Sequence, residues 1–180
     1  ATLTSTPVTA TVSLTSTLAL AVSGETVYAA GEGGLRVLRW PSGAGAPTLV
    51  GGYDAPRYSA VSVADDLVAV ADNVGVDLLR VTPQGAVTRA GRYEPGPPPV
   101  DVALAGDSLF VLDAAGRVLW LDVRDAGNAS LVGEAATRGG GPVALAAGGG
   151  TVAALDLTGG LFGWRDVRAT LFLPLVRRGE

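Results

Sequence analysis

One carboxylate recurs in a glycine-containing turn at near-regular intervals along the chain: Glu32, Asp72, Asp113 and Asp156. One oxygen donor per repeat, gathered around a common axis, would suit a hard cation such as calcium. Turn chemistry is the simpler reading, because Asp beside Gly or Asn bonds nearby backbone amides. Asp65-Asp66 could be a carboxylate pair for acid–base work, but it stands where a solvated turn is expected. The stretch "GEGG" at 31–34 is not followed by the helix that a phosphate-cradling loop requires. Arg57-Tyr58 and Arg92-Tyr93 set a planar donor beside an aromatic face, which suits a sugar or peptide ligand and equally suits packing across an interface. The chain has no Cys and no His, and all 13 basic residues are Arg, so Ser and Thr hydroxyls have no evident base. Thiolate and imidazole metal sites are closed for the same reason. The expectation is a protein that is not an enzyme and that holds neither cofactor nor metal.

The elements that would carry these residues follow from composition. Of the 180 residues 48% are hydrophobic and only 17% charged, ample for a buried core. The 26 Gly and 11 Pro are scattered between short Val, Ala and Leu runs, the mark of many turns joining many strands. The net charge of -4 leaves no cationic surface for nucleic-acid phosphates. No apolar stretch reaches the roughly eighteen residues of a membrane span. No basic-plus-hydrophobic leader is present and the chain starts at Ala1, so the expectation is a secreted product whose signal peptide has been removed, or an excised piece.

The chain repeats itself. "LALAV" at 18–22 aligns with "SAVSV" at 59–63, "VDVAL" at 100–104 and "VALAA" at 143–147, with starts 41, 41 and 43 residues apart. A polar or glycine turn and a second apolar run follow each copy, which makes a hairpin. A second turn leads to a third strand ("LRVLRW", "VDLLRV", "VLWLDV" and the run from Phe162), and a more polar fourth strand closes the unit. A lone four-stranded sheet cannot cover both its apolar faces, and radial stacking of such sheets is a β-propeller. The fold class expected is therefore all-β, propeller-like, with four blades of four antiparallel strands at about 16–53, 57–93, 98–135 and 141–176 in a domain spanning 16–180. The first strand of each blade, almost wholly apolar, is expected to be buried on both faces near the axis. Trp40, Trp120 and Trp164 fall at or near one place in the third strand and are expected to pack in the core.

These third strands, each behind a hairpin and followed by segments such as "PTLVGGYD" or "ASLVGEAA", resemble the LVIVD-type repeat of secreted and surface β-propellers of bacteria. Asp122 and Asp166 keep the pattern's carboxylate, whereas Arg39 and Arg80 replace it. The closing stretch "LFLPLVRR" (Leu171 to Arg178) is similar to C-terminal segments of secreted proteins from Chloroflexi-like bacteria. Both resemblances imply an extracellular or cell-surface location.

The fourth strands are one too many. The segment 169–176, with Leu171, Leu173 and Leu175 alternating, falls where the last blade's fourth strand belongs, yet 1–15 also contains an alternating segment, Pro7, Val8, Ala10, Val12 and Leu14. A spare amphipathic strand can add to its own ring, belong to a longer parent propeller, or pair with the edge of another molecule. The functional expectation is a non-catalytic extracellular structural protein that self-associates by adding terminal strands, as a filament or surface-layer subunit. The alternative is a monomeric recognition module binding a glycan, peptide or cation through Arg57, Tyr58, Arg92 and Tyr93 on its loop face.

Overall fold

The computed structural model of the chain describes residues 14, 16–41, 46–137, 140–165 and 174–175. These residues form four antiparallel sheets of four strands, each in chain order. Blade 1 holds β1 (Thr17–Ser23), β2 (Thr26–Gly31), β3 (Gly34–Arg39) and β4 (Thr48–Tyr53). Blade 2 holds β5 (Ala60–Ala64), β6 (Leu67–Ala71), β7 (Val76–Val81) and β8 (Val87–Tyr93). Blade 3 holds β9 (Pro99–Ala105), β10 (Ser108–Asp113), β11 (Arg117–Asp122) and β12 (Ser130–Ala136), with one 3-10 turn at Ala126–Asn128 before β12. Blade 4 holds β13 (Pro142–Gly148), β14 (Thr151–Asp156), β15 (Leu161–Arg165) and β16 (Pro174–Leu175). Four antiparallel sheets in a four-blade propeller arrangement is the expected architecture.

The repeat fixes the local geometry. Each first hairpin closes with its first turn residue in the left-handed region: Gly24, Gly106 and Gly149 at φ +58, +57 and +56, and Asp65 at φ +53. Glycine adopts that region freely and Asp tolerates it, which accounts for the residue choice and makes Asp65-Asp66 a turn. Asp66 is salt-bridged to Arg80. The outer pairs of blades 1, 2 and 3 carry a bulge at the same register, where Val37, Leu78 and Trp120 face Gly51, Gly91 and Gly133. A side chain at Gly51 would stand 1.8 Å from the carbonyl oxygen of Gly85, and one at Gly91 would stand 2.0 Å from that of Ala126. Gly51 and Gly91 let the next blade's outer turn rest directly on the fourth strand.

The core lies between blades. One cluster joins blades 1 and 2 through Tyr28, Leu35, Val68 and Leu79; a second joins blades 2 and 3 through Ala69, Leu78, Leu109 and Leu121; a third joins blades 3 and 4 through Phe110, Leu112, Val152 and Trp164. Among the described residues no cluster joins blade 4 to blade 1, so the four blades form an open arc.

Two expectations change. The most deeply buried strand is the second, not the first: β6 is buried throughout, whereas β5 is mostly half-buried. The second strand has a strand on each side within its sheet and a sheet on each face; the first has a free edge toward the axis. The tryptophans are not equivalent either, since Trp120 pairs with Phe110 while Trp164 pairs with Val152, one position apart in the repeat. They therefore point to opposite faces of their sheets and meet in the same interface between blades 3 and 4, while Trp40 is 41% exposed.

The spare strand expected at 1–15, with Pro7, Val8, Ala10 and Val12, lies outside the described residues, as do Leu171 and Leu173. Leu14 is half-buried, and Leu175 pairs with Gly163 in the fourth strand of blade 4.

Candidate functional site

The loop end of blade 2 holds the densest set of polar groups. The apolar run of β7 is interrupted by Asp77, only 4% exposed. Tyr58, brought in by the connection from blade 1 to blade 2 and fully buried, donates its hydroxyl to Asp77 Oδ2 at 2.6 Å. Arg92, on β8, donates to Asp77 Oδ1 at 3.1 Å and to Asp72 Oδ2 at 3.0 Å, and its Nε reaches Glu94 at 3.0 Å. Arg89 stands 3.5 Å from Asp77 Oδ1. Burial, and then the Asp77 carboxylate, push the Tyr58 phenol far above its usual range, so it stays a donor. Burial alone would raise Asp72, but the Arg92 guanidinium and the Gly75 and Val74 N–H groups outweigh it and hold its carboxyl below the usual range.

The four residues singled out as a loop-face binding set divide into different roles. Tyr58 and Arg92 meet on Asp77, and Arg92 also donates to Asp72 and Glu94. Arg57 lies at the surface, 3.6 Å from Glu32. Tyr93 packs against the cluster between blades 2 and 3. Three of the recurring turn carboxylates each turn one oxygen onto local donors, while the second oxygen of Asp156 is buried without a partner among the described residues. Asp72 Oδ1 accepts from Val74 and Gly75, Asp113 Oδ1 from Ala115 and Arg117, and Asp156 Oδ1 from Thr158 and Gly160. Asp113 Oδ2 is 2.8 Å from Arg117 Nε. Among the described residues no three acidic side chains converge on a point where a metal ion could sit.

Two residues that sequence reasoning passed over tie blades together at the axis. Ser62 Oγ of β5 accepts from Leu104 N of β9 at 2.9 Å, and Asp101 Oδ2 of β9 accepts from Leu145 N of β13 at 2.7 Å. Burial raises the Asp101 carboxyl despite the two backbone N–H groups it accepts from. The available signal was a polar residue inside an otherwise apolar first strand. The same signal, a carboxylate in "VDLLRV", marked Asp77.

The ends of the arc are the other unusual surfaces. On β1, Leu18, Leu20 and Val22 are 47%, 63% and 65% exposed. The residues in register with Leu20 in blades 3 and 4, Val102 and Leu145, are 3% and 8% exposed. On the opposite end, Leu161 is 73% exposed, whereas its counterparts Leu35, Val76 and Val118 are fully buried. Leu155 is 38% exposed against full burial of Ala30, Ala71 and Leu112. Not all of the blade 1 face is open, since Ala29 and Leu38 on it are buried. Apart from these faces, a groove of about 540 Å³ lies between the first hairpins of blades 3 and 4, lined by Ser108, Phe110, Thr151 and the glycines at 148–150.

No protein-family model matches the chain, and no curated protein matches it in sequence. Solved structures do match. A protein from Lactobacillus plantarum superimposes with a TM-score of 0.73 at 21% identity, over 88% of this chain and 54% of its own. The computationally designed protein Ika4 gives a TM-score of 0.72 at 14% identity, over 89% of this chain and 99% of its own. BamB from Moraxella catarrhalis gives 0.63 at 17% identity, over 88% of this chain and 47% of its own. The fold is a β-propeller. At these identities the likeness carries the fold alone, and the propeller described here spans about half the length of the Lactobacillus and Moraxella chains and all of the designed one. Among the described residues of the propeller, no helix is long and apolar enough to cross a membrane.

Proposed function

We propose that this propeller is a non-catalytic structural protein whose role is self-association. The observation that carries the reading is the exposure of Leu20 at 63% where its register partners Val102 and Leu145 are 3% and 8% exposed. A row of large apolar side chains on a sheet face built to be covered is an interaction surface. Self-association through added strands from 1–15 and 169–176 would rest on residues mostly outside the described ones; the faces at the ends of the arc support association by themselves. The resemblance of the repeat and of "LFLPLVRR" to secreted bacterial proteins supports a place outside the cell. The test is light scattering behind size exclusion over a wide concentration range. Concentration-dependent association is the expected result, and an 18.0 kDa species at every concentration overturns the reading. A recognition role is the second reading, favoured by the groove of about 540 Å³ between blades 3 and 4. A glycan or peptide that binds the monomer there and shifts its melting temperature would select it.

A further inference from the structure

Every interface inside the arc is built to one plan. The first strand of each blade turns mostly small residues toward the blade that follows and mostly large ones toward the blade that precedes, with Asp101 and Ala147 as the exceptions. Ala19 and Ala21 pack in the cluster with Val61 and Val63, Ala60 in the one with Val102 and Leu104, and Ala103 in the one with Leu145. Two half-interfaces of this plan are left over. Blade 4 presents the small half, Ala144 and Ala146, and blade 1 presents the large half, Leu20 and Val22. They stand at opposite ends of the arc and do not pack on each other.

We propose that a second copy of the chain supplies each missing half, so that two arcs close one eight-bladed ring about a two-fold axis. This rests on the self-association reading and deepens it by naming the surface and the count. The contact is head-to-tail, blade 4 of one copy on blade 1 of the other, and such contacts close when the rotation returns to its start. The count follows from the blades. Propellers run from about four to eight blades, so two arcs of four reach the upper end of that range and a third would exceed it. Two of the matched chains are about twice the length of the arc, which fills 54% of one and 47% of the other, while it fills 99% of the designed Ika4 chain. Register is set as well. Ser62 and Leu104, whose Oγ and N are 2.9 Å apart between blades 2 and 3, correspond to Ala146 and Val22 across the new junction.

That correspondence gives the test, and the absence of native cysteine makes it clean. The full chain carrying Val22→Cys and Ala146→Cys is oxidised and run on a denaturing, non-reducing gel, and the uncross-linked protein is weighed in solution. The expected result is a single covalent dimer on the gel and a species of twice the 18.0 kDa chain mass in solution. Leu20→Asp and Leu161→Asp, both at exposed positions and each checked for retained folding by circular dichroism, should each raise the dimer dissociation constant at least tenfold. Val74→Asp, at an exposed position in the turn between β6 and β7, should not. A ladder of covalent oligomers, or a cross-link within one chain, overturns the closed ring. Association that survives Leu20→Asp but vanishes when 1–15 are removed overturns the ring and leaves self-association standing by another route. A monomer in every assay overturns both.

Discussion

Replacing Tyr58 by Phe removes one oxygen from the interior of the arc and tests how the loop end of blade 2 is held. The ring is fully buried, so Phe fills the same space and the packing contribution is unchanged. What is lost is the 2.6 Å bond to Asp77 Oδ2. Asp77 is only 4% exposed, and its other oxygen is already shared between Arg92 at 3.1 Å and Arg89 at 3.5 Å, so Oδ2 has no replacement donor among the contacts described. A hydrogen bond to a charged acceptor contributes about 1.5–3 kcal/mol, and leaving a buried acceptor unmet sits in the same range. The expected loss is therefore about 2 kcal/mol, or about 4–8 °C in melting temperature for a domain of this size. Because the phenol is held far above its usual range, the loss should stay constant across neutral and mildly alkaline pH. The assay is urea unfolding followed by tryptophan fluorescence, repeated in an Asp77→Leu background. There the Tyr58→Phe loss should fall well below its value in the parent, because the acceptor is gone. A Tyr58→Phe loss under about 0.5 kcal/mol in the parent would refute the reasoning, since Oδ2 would then have to be reaching water.

Other consequences are open to the same unfolding assay. Gly91→Ala places a Cβ 2.0 Å from the carbonyl oxygen of Ala126 and should cost about 3 kcal/mol by forcing blades 2 and 3 apart, while Gly148→Ala, with nothing within 4 Å, should cost nothing. Asp65→Gly relieves a left-handed residue at φ +53 in an exposed turn and should stabilise by about 0.5–1 kcal/mol; a loss would mean that the Asp side chain anchors the turn. Asp101 has its carboxyl raised by burial, so its protonated form is favoured in the fold and its contribution is lost as pH rises from the ordinary carboxylate range through the raised value. The stability of the parent relative to Asp101→Asn should accordingly be greatest in acid and shrink toward neutrality, and a difference that grows with pH contradicts this. Asp72 is held low, so its contribution is present at neutral pH and lost as pH falls through its depressed value; Arg92→Gln should therefore destabilise at neutral pH and progressively less in acid.

The sequence by itself determined the unit and the number of units. Apolar alternation every second residue, glycine or Asp at each hairpin turn, and a spacing of 41 to 43 residues leave little choice other than four-stranded blades. The absence of His, Cys and Lys is read directly from the sequence and leaves the chain no imidazole, thiol or lysine amine. Local interactions dictate both conclusions, so a local reading recovers them. The reason for Gly51 and Gly91 in the fourth strands is tertiary, since it is the approach of the Gly85 and Ala126 carbonyls that leaves no room for a side chain. Tertiary structure alone decided that Tyr58 and Arg92 converge on Asp77, because Tyr58 lies 19 residues from Asp77 and reaches it from the connection between blades 1 and 2. It also decided that the arc stays open. Two apolar faces on every blade say that each sheet needs neighbours, but whether the fourth blade meets the first depends on the rotation accumulated across three interfaces. That rotation is set by side-chain volumes packed between sheets, a sum over distant residues that no single stretch of the sequence records.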